Sequence, residues 1–182
     1  MAQTDTRSLR NVLGCYATGV AIITTRSAAD AHIGVTVNSF ASVSLDPPLI
    51  LFSLALTANV LSSFQKSDSF VVNILSQGQQ ALSNMFARPS TASWTDAYYS
   101  HAANGCALFV GSLAQLECRK HSVLEGGDHL IFLCEVMKFH LRETADPLLF
   151  YRGAYGTYTR DQWSRMPRPD SSLAEFAVEG WG

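Results

Sequence analysis

The sequence predicts a mainly β fold, a closed antiparallel barrel carrying a few short peripheral helices. Three observations lead there. The chain from Ala107 onward is almost wholly strand-like, amphipathic helical patterns are few and short, and no strand–helix–strand alternation of a parallel sheet is present. With 182 residues, 47% of them hydrophobic, the chain can bury roughly 70% of its unfolded surface in one core, so one domain is expected. That domain is assigned to residues 1–160 and a tail to 161–182.

Residues Asp5 to Tyr16 place Leu9, Val12, Leu13 and Tyr16 at helical spacing, which predicts an amphipathic helix ended by Gly19. Val20 to Thr25 reads as a strand, Ala28 to Ala31 as a turn, and Ile33 to Phe40 as a second strand. Asp46-Pro47-Pro48 is non-helical, because each proline forces its predecessor toward extended geometry. Leu49 to Leu54 is nearly continuously apolar, the pattern of a strand buried on both faces.

Asn59 to Gln65 sets Val60, Leu61 and Phe64 on one side of a short helix, and Phe70 to Leu75 reads as a strand. Ser76 stands three residues before Gln79, a capping box that opens a helix over Gln77 to Phe86. A serine cap contributes about 1 kcal/mol, enough to fix where the helix begins. Ala87 to Asn104, with Pro89, Trp94, Tyr98 and Tyr99, reads as a long polar-aromatic loop of the kind that carries function. Strands follow over Ala107 to Val110, Leu113 to Val123 and His129 to His140, the last two separated by Gly126-Gly127. Leu148 to Tyr151 and Tyr155 to Thr159 form a hairpin around Gly153. Past Arg160 the chain turns Pro-, Ser- and Asp-rich, with Phe176 and Trp181 available to dock.

Charge and cysteine usage narrow the function classes. The formal charge is -2 and the basic residues are scattered, so no nucleic-acid or membrane footprint exists. The apolar run Val20 to Ile23 is far shorter than the about 20 residues a membrane span needs. Cys15, Cys106, Cys118 and Cys134 form no CxxC pair and sit in apolar surroundings, which predicts reduced structural thiols and a cytoplasmic protein. No GxGxxG, GxxxxGK[ST], HExxH or GxSxG is present, and the five histidines are not clustered at ligand spacing, so no metal is expected.

The unusual stretch is Val35 to Pro48. Strand alternation puts Thr36, Asn38 and Phe40 on one face and Val35, Val37 and Ser39 on the other, with backbone amides exposed where the strand ends at Ser42. Asparagine is disfavoured in strands. Its place between valines fits either a solvent-facing polar stripe or a row of hydrogen-bonding groups offered to a planar polar ligand.

The run Thr36-Val37-Asn38-Ser39-Phe40-Ala41-Ser42-Val43-Ser44-Leu45-Asp46-Pro47-Pro48 resembles the short-chain flavin reductase family. So do Tyr16-Ala17-Thr18-Gly19-Val20, Phe70-Val71-Val72-Asn73-Ile74-Leu75, Gly127-Asp128-His129 and Leu148-Leu149-Phe150-Tyr151-Arg152-Gly153. These motifs cover nearly all of residues 9–159 in the family's order. The family comprises the reductase components of two-component flavin-dependent monooxygenases. The resemblance implies an FMN-binding split β-barrel, Greek-key-like and antiparallel, working as a homodimer with each flavin site near the subunit interface.

Carried over residue by residue, the resemblance implies that Thr36, Val37, Asn38, Ser39, Ser42 and Val43 line the flavin ring. Ser53, Leu54, Ala55, Thr57 and Asn59 would approach the ribityl chain and phosphate, and Ala87 with Arg88 would close on the phosphate or adenylate end. His129 would meet the nicotinamide as the catalytic residue, with Tyr151 and Tyr155 nearby. Hydroxyl and amide groups can hydrogen-bond a flavin without adding charge, and an arginine fork matches phosphate oxygens. Ala55-Leu56 departs from the family, many of whose members carry an acidic-basic pair there, and leaves the choice between FMN and FAD open.

The activity implied is NAD(P)H:flavin oxidoreduction, with NADH or NADPH as donor and reduced FMN or FAD supplied to a partner monooxygenase. Flavin used as a diffusing substrate calls for moderate affinity; a micromolar constant corresponds to about -8 kcal/mol. Two alternatives stand beside it: a flavoprotein that keeps its flavin and reduces another acceptor, and a non-enzymatic flavin- or heme-binding barrel.

Overall fold

In the computed structural model, residues 5–88, 92–142 and 145–159 are described; the tail with Phe176 and Trp181, and Pro89, lie outside them. Among the described residues, twelve strands and three α-helices follow in chain order. They are α1 (Thr6–Leu13), β1 (Thr18–Gly19), β2 (Ala21–Arg26), β3 (His32–Val37), β4 (Ala41–Leu45), β5 (Pro48–Ala55), α2 (Leu61–Lys66) and β6 (Ser69–Ile74). After a 3-10 turn at Gln77–Gln79 come α3 (Gln80–Phe86), β7 (Tyr99–His101), β8 (Ala107–Phe109), β9 (Ala114–Gly126), β10 (His129–Leu141), β11 (Leu148–Tyr151) and β12 (Ala154–Thr157).

Seven strands make the antiparallel sheet β3-β2-β6-β9-β10-β5-β4. Its two edge strands, β3 and β4, are consecutive in the chain, so residues 38–40 cross from one edge to the other and the sheet curls into a barrel. Phenylalanine fills the interior. Phe52, Phe64, Phe70 and Phe132 are fully buried with ring centroids 5.1 to 6.2 Å apart, and Phe52 stacks on Phe132, its cross-strand partner. Each such pair adds about 1 kcal/mol beyond the area it hides. Phe64 arrives from α2, which stoppers the barrel.

A second apolar cluster lies outside the barrel wall. Val20, Ile22, Leu75, Phe86, Phe109 and Leu148 are its buried members, with Trp94, Tyr99, Phe150 and Tyr155 packed against them. Strand β2 therefore separates two cores, Ala21 and Ile23 facing one and Ile22 the other. Burial on both faces belongs to β2 and β6 rather than to 49–54. In β5 only Ile50, Phe52 and Leu54 are buried, and Leu49, Leu51 and Ser53 are half-covered because nothing described packs behind them.

Asn73 ties the wall to the second cluster. Buried on β6, it donates through Nδ2 to the Ile22 and Ala107 carbonyls at 3.3 and 3.2 Å. Its Oδ1 accepts from the Phe109 N–H at 2.9 Å and from Gln115 Nε2 at 3.1 Å. An amide with both ends satisfied explains a polar residue inside an apolar strand.

Several expectations are corrected. The strand read over 33–40 ends at Val37, and β4 begins at Ala41, so Asn38 does not share a strand face with Thr36 and Phe40, and Ser42 lies inside β4 rather than at a strand end. The crossing between sheet edges demands an irregular segment there. Helix α2 begins at Leu61. The stretch 87–104 is not one loop: it holds a 3-10 turn at Trp94–Asp96 and strand β7, because Trp94 and Tyr99 are drawn into the second cluster. The expected capping box forms between Ser76 and Gln79, with a 3-10 first turn. Helix α1 is capped by Asp5, whose carboxylate accepts the Arg7 N–H at 3.0 Å, yet Leu9, Val12, Leu13 and Tyr16 stay exposed. No described helix is long and apolar enough to cross a membrane.

Candidate functional site

A cleft of about 160 Å³ opens between the barrel wall and the hairpin β11–β12, lined by Val20, Thr36, Val37, Asn38, Ala87, Phe150 and Tyr155. Elements distant in the chain supply it. Thr36 and Val37 end β3, Asn38 begins the crossing segment, Ala87 closes α3, and Tyr155 sits on β12 opposite Phe150, the two rings 5.4 Å apart.

Helix α3 locks these parts together. The Thr36 hydroxyl donates to the Ser83 carbonyl at 2.7 Å, and Ser83 Oγ lies 2.8 Å from the Tyr155 hydroxyl. Helix and strand can approach because residue 34 is glycine: a Cβ there would stand 2.8 and 2.9 Å from the buried Phe86 ring. Ser83 was not foreseen from the sequence. Its one signal is a hydroxyl among Leu82, Met85 and Phe86 on the helix face that turns inward.

The crossing segment is pinned at Ser39. Its hydroxyl accepts the Ser53 N–H at 3.0 Å and donates to the Ser53 carbonyl at 3.1 Å, bridging to β5. At the end of β5, Leu54 and Ala55 pair with Leu130 and His129 of β10, and the Leu56 N–H donates to the Asp128 carbonyl at 2.9 Å. Thr57 and Asn59 follow, exposed, in the turn that leads to α2.

His129 is half-exposed at the start of β10, with Nδ1 2.7 Å from Asp128 Oδ1. A carboxylate only accepts, so Nδ1 carries the proton of this hydrogen bond. That hydrogen bond holds the Asp128 carboxyl below its ordinary value, and the more distant Arg10 charge acts in the same direction.

The structure thus groups Thr36, Val37, Asn38, Ala87 and Tyr155 on one cleft, and Ser53, Leu54, Ala55 and His129 at one strand end, with Ser39 between the two groups. Ser42 and Val43 lie exposed on β4, at a bulge, and do not line the cleft. Tyr151 is half-exposed beside Arg152, whose guanidinium carbon sits 5.3 Å from its ring centre. Arg88 is exposed immediately after Ala87.

The donor set fits a neutral planar heterocycle. Val20, Val37 and Phe150 offer apolar walls, no charged side chain lines the cleft, and the Asn38 amide has no hydrogen-bond partner among the described residues. Asn38 can therefore give both a donor and an acceptor to a ligand edge.

Comparisons with known proteins agree on one family. Residues 13–159 match the family model described as flavin reductase like domain. The chain is 40% identical over 156 residues to FMN reductase (NADH) SmoA of Agrobacterium fabrum, covering 86% of this chain and 88% of that one. It is 38% identical over 151 residues to the reductase component of the flavin-dependent trigonelline monooxygenase of Acinetobacter baylyi; this spans 83% of the chain but about half, 48%, of that relative. Among solved structures, the NADH:FAD oxidoreductase SgcE6 of Streptomyces globisporus C-1027, in complex with NAD and FAD fragments, superimposes with a TM-score of 0.82. Its identity is 32%, over 89% of this chain and 98% of that one.

Proposed function

We propose, from the premise that this chain belongs to the flavin reductase like domain family, that it reduces FMN or FAD with NADH or NADPH and supplies the reduced flavin to a partner monooxygenase. Names of relatives support FMN or FAD as acceptor, NADH as donor and a monooxygenase as partner: an FMN reductase (NADH), an NADH:FAD oxidoreductase and a monooxygenase reductase component. The observation that carries the reading is the uncharged cleft on which Thr36, Val37, Asn38, Ala87 and Tyr155 converge.

Bound flavin supplies the chemistry, accepting a hydride from the nicotinamide when the two rings are held face to face. The protein's share is placement. Asn38 and Thr36 hold the ring edge, Val37 and Tyr155 exclude water, and Ser39 fixes the crossing segment against β5. Arg88 takes the phosphate, with Thr57 and Asn59 toward the ribityl side. His129, oriented by Asp128, offers Nε2 to the nicotinamide carboxamide.

The working form is a homodimer, supported by the half-covered face of β5 and by the exposed Val43, Leu45, Met137, Phe139 and Leu141. The compartment is the cytoplasm, supported by three buried thiols; burial pushes Cys106 up to about 11 and Cys134 up to about 12, and raises Cys118 further.

The test is a steady-state matrix of NADH and NADPH against FMN, FAD and riboflavin, run on the full chain and on His129→Ala. Turnover that depends on added flavin and falls tenfold or more in His129→Ala, with flavin affinity retained, is expected. Background turnover with every donor–acceptor pair sinks the proposal.

A further inference from the structure

A second depression, of about 410 Å³, is lined by Arg10, Asn11, Gly14, Arg152 and Gly153. It forms where the end of α1 meets the tip of the β11–β12 hairpin. Tyr151 pairs with Ala154, leaving Arg152-Gly153 as a two-residue turn whose φ values, 48° and 81°, are both left-handed. Such turns favour Asn, Asp or Gly at the first position, and an arginine there carries a backbone cost of about 1 kcal/mol. Its side chain has to do something to justify that position.

The backbone fixes where the side chain starts. The Arg152 N–H donates to the Gly14 carbonyl at 3.0 Å, and a Cβ on residue 14 would stand 3.1 Å from the Arg10 carbonyl and 3.6 Å from Arg152 Cα. Glycine at 14 lets the turn seat against the helix, so Arg10 and Arg152 open into one depression. Arg152 also donates to Cys15 Sγ at 3.4 Å and lies over the Tyr151 ring. Neither arginine is in an ion pair among the described residues. Two guanidinium groups with no counter-ion and an amide at Asn11 make an anion site of phosphate type.

Its position selects the phosphate. The hairpin that carries Arg152 at its tip carries Tyr155 in the cleft, two residues past Gly153. Arg10 lies on the same side, because the hairpin tip is seated on the end of α1 through the Arg152–Gly14 hydrogen bond. The depression thus lies on the hairpin side of the cleft, where Tyr151 and Tyr155 are expected beside the nicotinamide, whereas Arg88 follows the end of α3.

We propose that Arg10 and Arg152 bind the pyrophosphate of the nicotinamide dinucleotide and so position the hydride donor over the cleft; this rests on the reductase reading above. The two arginines are positioning residues for the donor.

The experiment compares the full-length protein with Arg10→Gln and Arg152→Asn, the second chosen because asparagine accepts the left-handed turn. Hydride donors are NADH and 1-benzyl-1,4-dihydronicotinamide, which has no phosphate; acceptors are FMN and riboflavin. NADH binding is also titrated directly by its fluorescence. Each substitution is expected to raise the KM and the dissociation constant for NADH about tenfold, the loss of one charge-assisted phosphate contact at an exposed site. Turnover with the benzyl donor and the KM for FMN are expected to stay within about twofold of wild type by the same reasoning, and inorganic pyrophosphate to compete with NADH only in wild type.

An unchanged NADH constant in both variants overturns the proposal, as does an equal loss with the benzyl donor. A KM increase for FMN that riboflavin does not share assigns the arginines to the flavin phosphate instead, and also overturns it. Wild-type protein that binds NADH through these arginines but reduces no flavin with either donor refutes the reductase reading while upholding the anion site.

Discussion

Ser39 and Ser53 exchange two hydrogen bonds through one hydroxyl: Ser39 Oγ accepts the Ser53 N–H at 3.0 Å and donates to the Ser53 carbonyl at 3.1 Å. The side chain takes the place of a strand neighbour exactly where the chain leaves one sheet edge for the other, and satisfies both backbone groups of β5 there. Ser39→Ala strips both, at a cost of about 1–2 kcal/mol. Urea denaturation is expected to show a lower midpoint with unchanged m, and flavin titration a weaker complex, since Asn38 is held by its neighbour.

Tyr155 bears on the same cleft from the opposite wall. Its hydroxyl lies 2.8 Å from the fully buried Ser83 Oγ, whose residue also accepts from Thr36 through its carbonyl. Tyr155→Phe leaves the Ser83 hydroxyl buried without that partner, costing about 1–3 kcal/mol. Flavin affinity is expected to fall several-fold while the NADH constant holds. A variant with wild-type flavin affinity and wild-type melting would show that the Ser83 link does not shape the cleft.

Asn73 joins three elements by four hydrogen bonds from one fully buried amide. Asn73→Ala leaves the Phe109 N–H without its acceptor and opens a small void, so a loss of about 3 kcal/mol is expected. Asn73→Asp keeps the shape but puts a carboxylate beside the Ile22 and Ala107 carbonyls, and is expected to be the worse of the two near neutral pH. Thermal melting of both variants checks the order.

His32 makes stability depend on pH. Burial is the largest cause that holds its imidazole below the ordinary histidine value, followed by Arg26 and His101, with Asp30 opposing. Arg26 can only donate, so His32 Nε2, 3.3 Å away, is an acceptor, and it lies 3.1 Å from His101 Nε2. The unfolded chain therefore takes up this proton more readily than the folded one. The contribution is fully present above the unfolded value near 6.5 and is lost as pH falls from there toward the lower folded value. Melting temperature is expected to drop between pH 8 and 5.5, and to drop less in His32→Gln. Parallel profiles for the two proteins would remove His32 from the account.

Much of the architecture was legible in the sequence because strand alternation, the Ser76–Gln79 box and the Gly153 turn are local signals. The strands over 114–126 and 129–141 and the final hairpin fall within a few residues of their expected bounds. What escaped was non-local. The loop expected over 87–104 holds a strand because Trp94 and Tyr99 find Phe86 and Phe109, residues that no local pattern brings near them. For the same reason the buried strand expected at 49–54 is half-covered, and β2 is the strand buried twice.

The same division holds for the site. By itself the sequence determined the polar run Thr36 to Ser39, the Asp128-His129 pair and, through a family resemblance, a flavin expectation. Only the tertiary structure decided which of these share a cleft, that Ser83 braces it, that Ser42 and Val43 stand off it, and that Arg10 and Arg152 meet across Gly14. A sequence fixes chemical groups and local geometry, whereas a binding site requires groups distant in the chain to converge. That convergence depends on barrel closure, and closure is a property of the whole packed sheet.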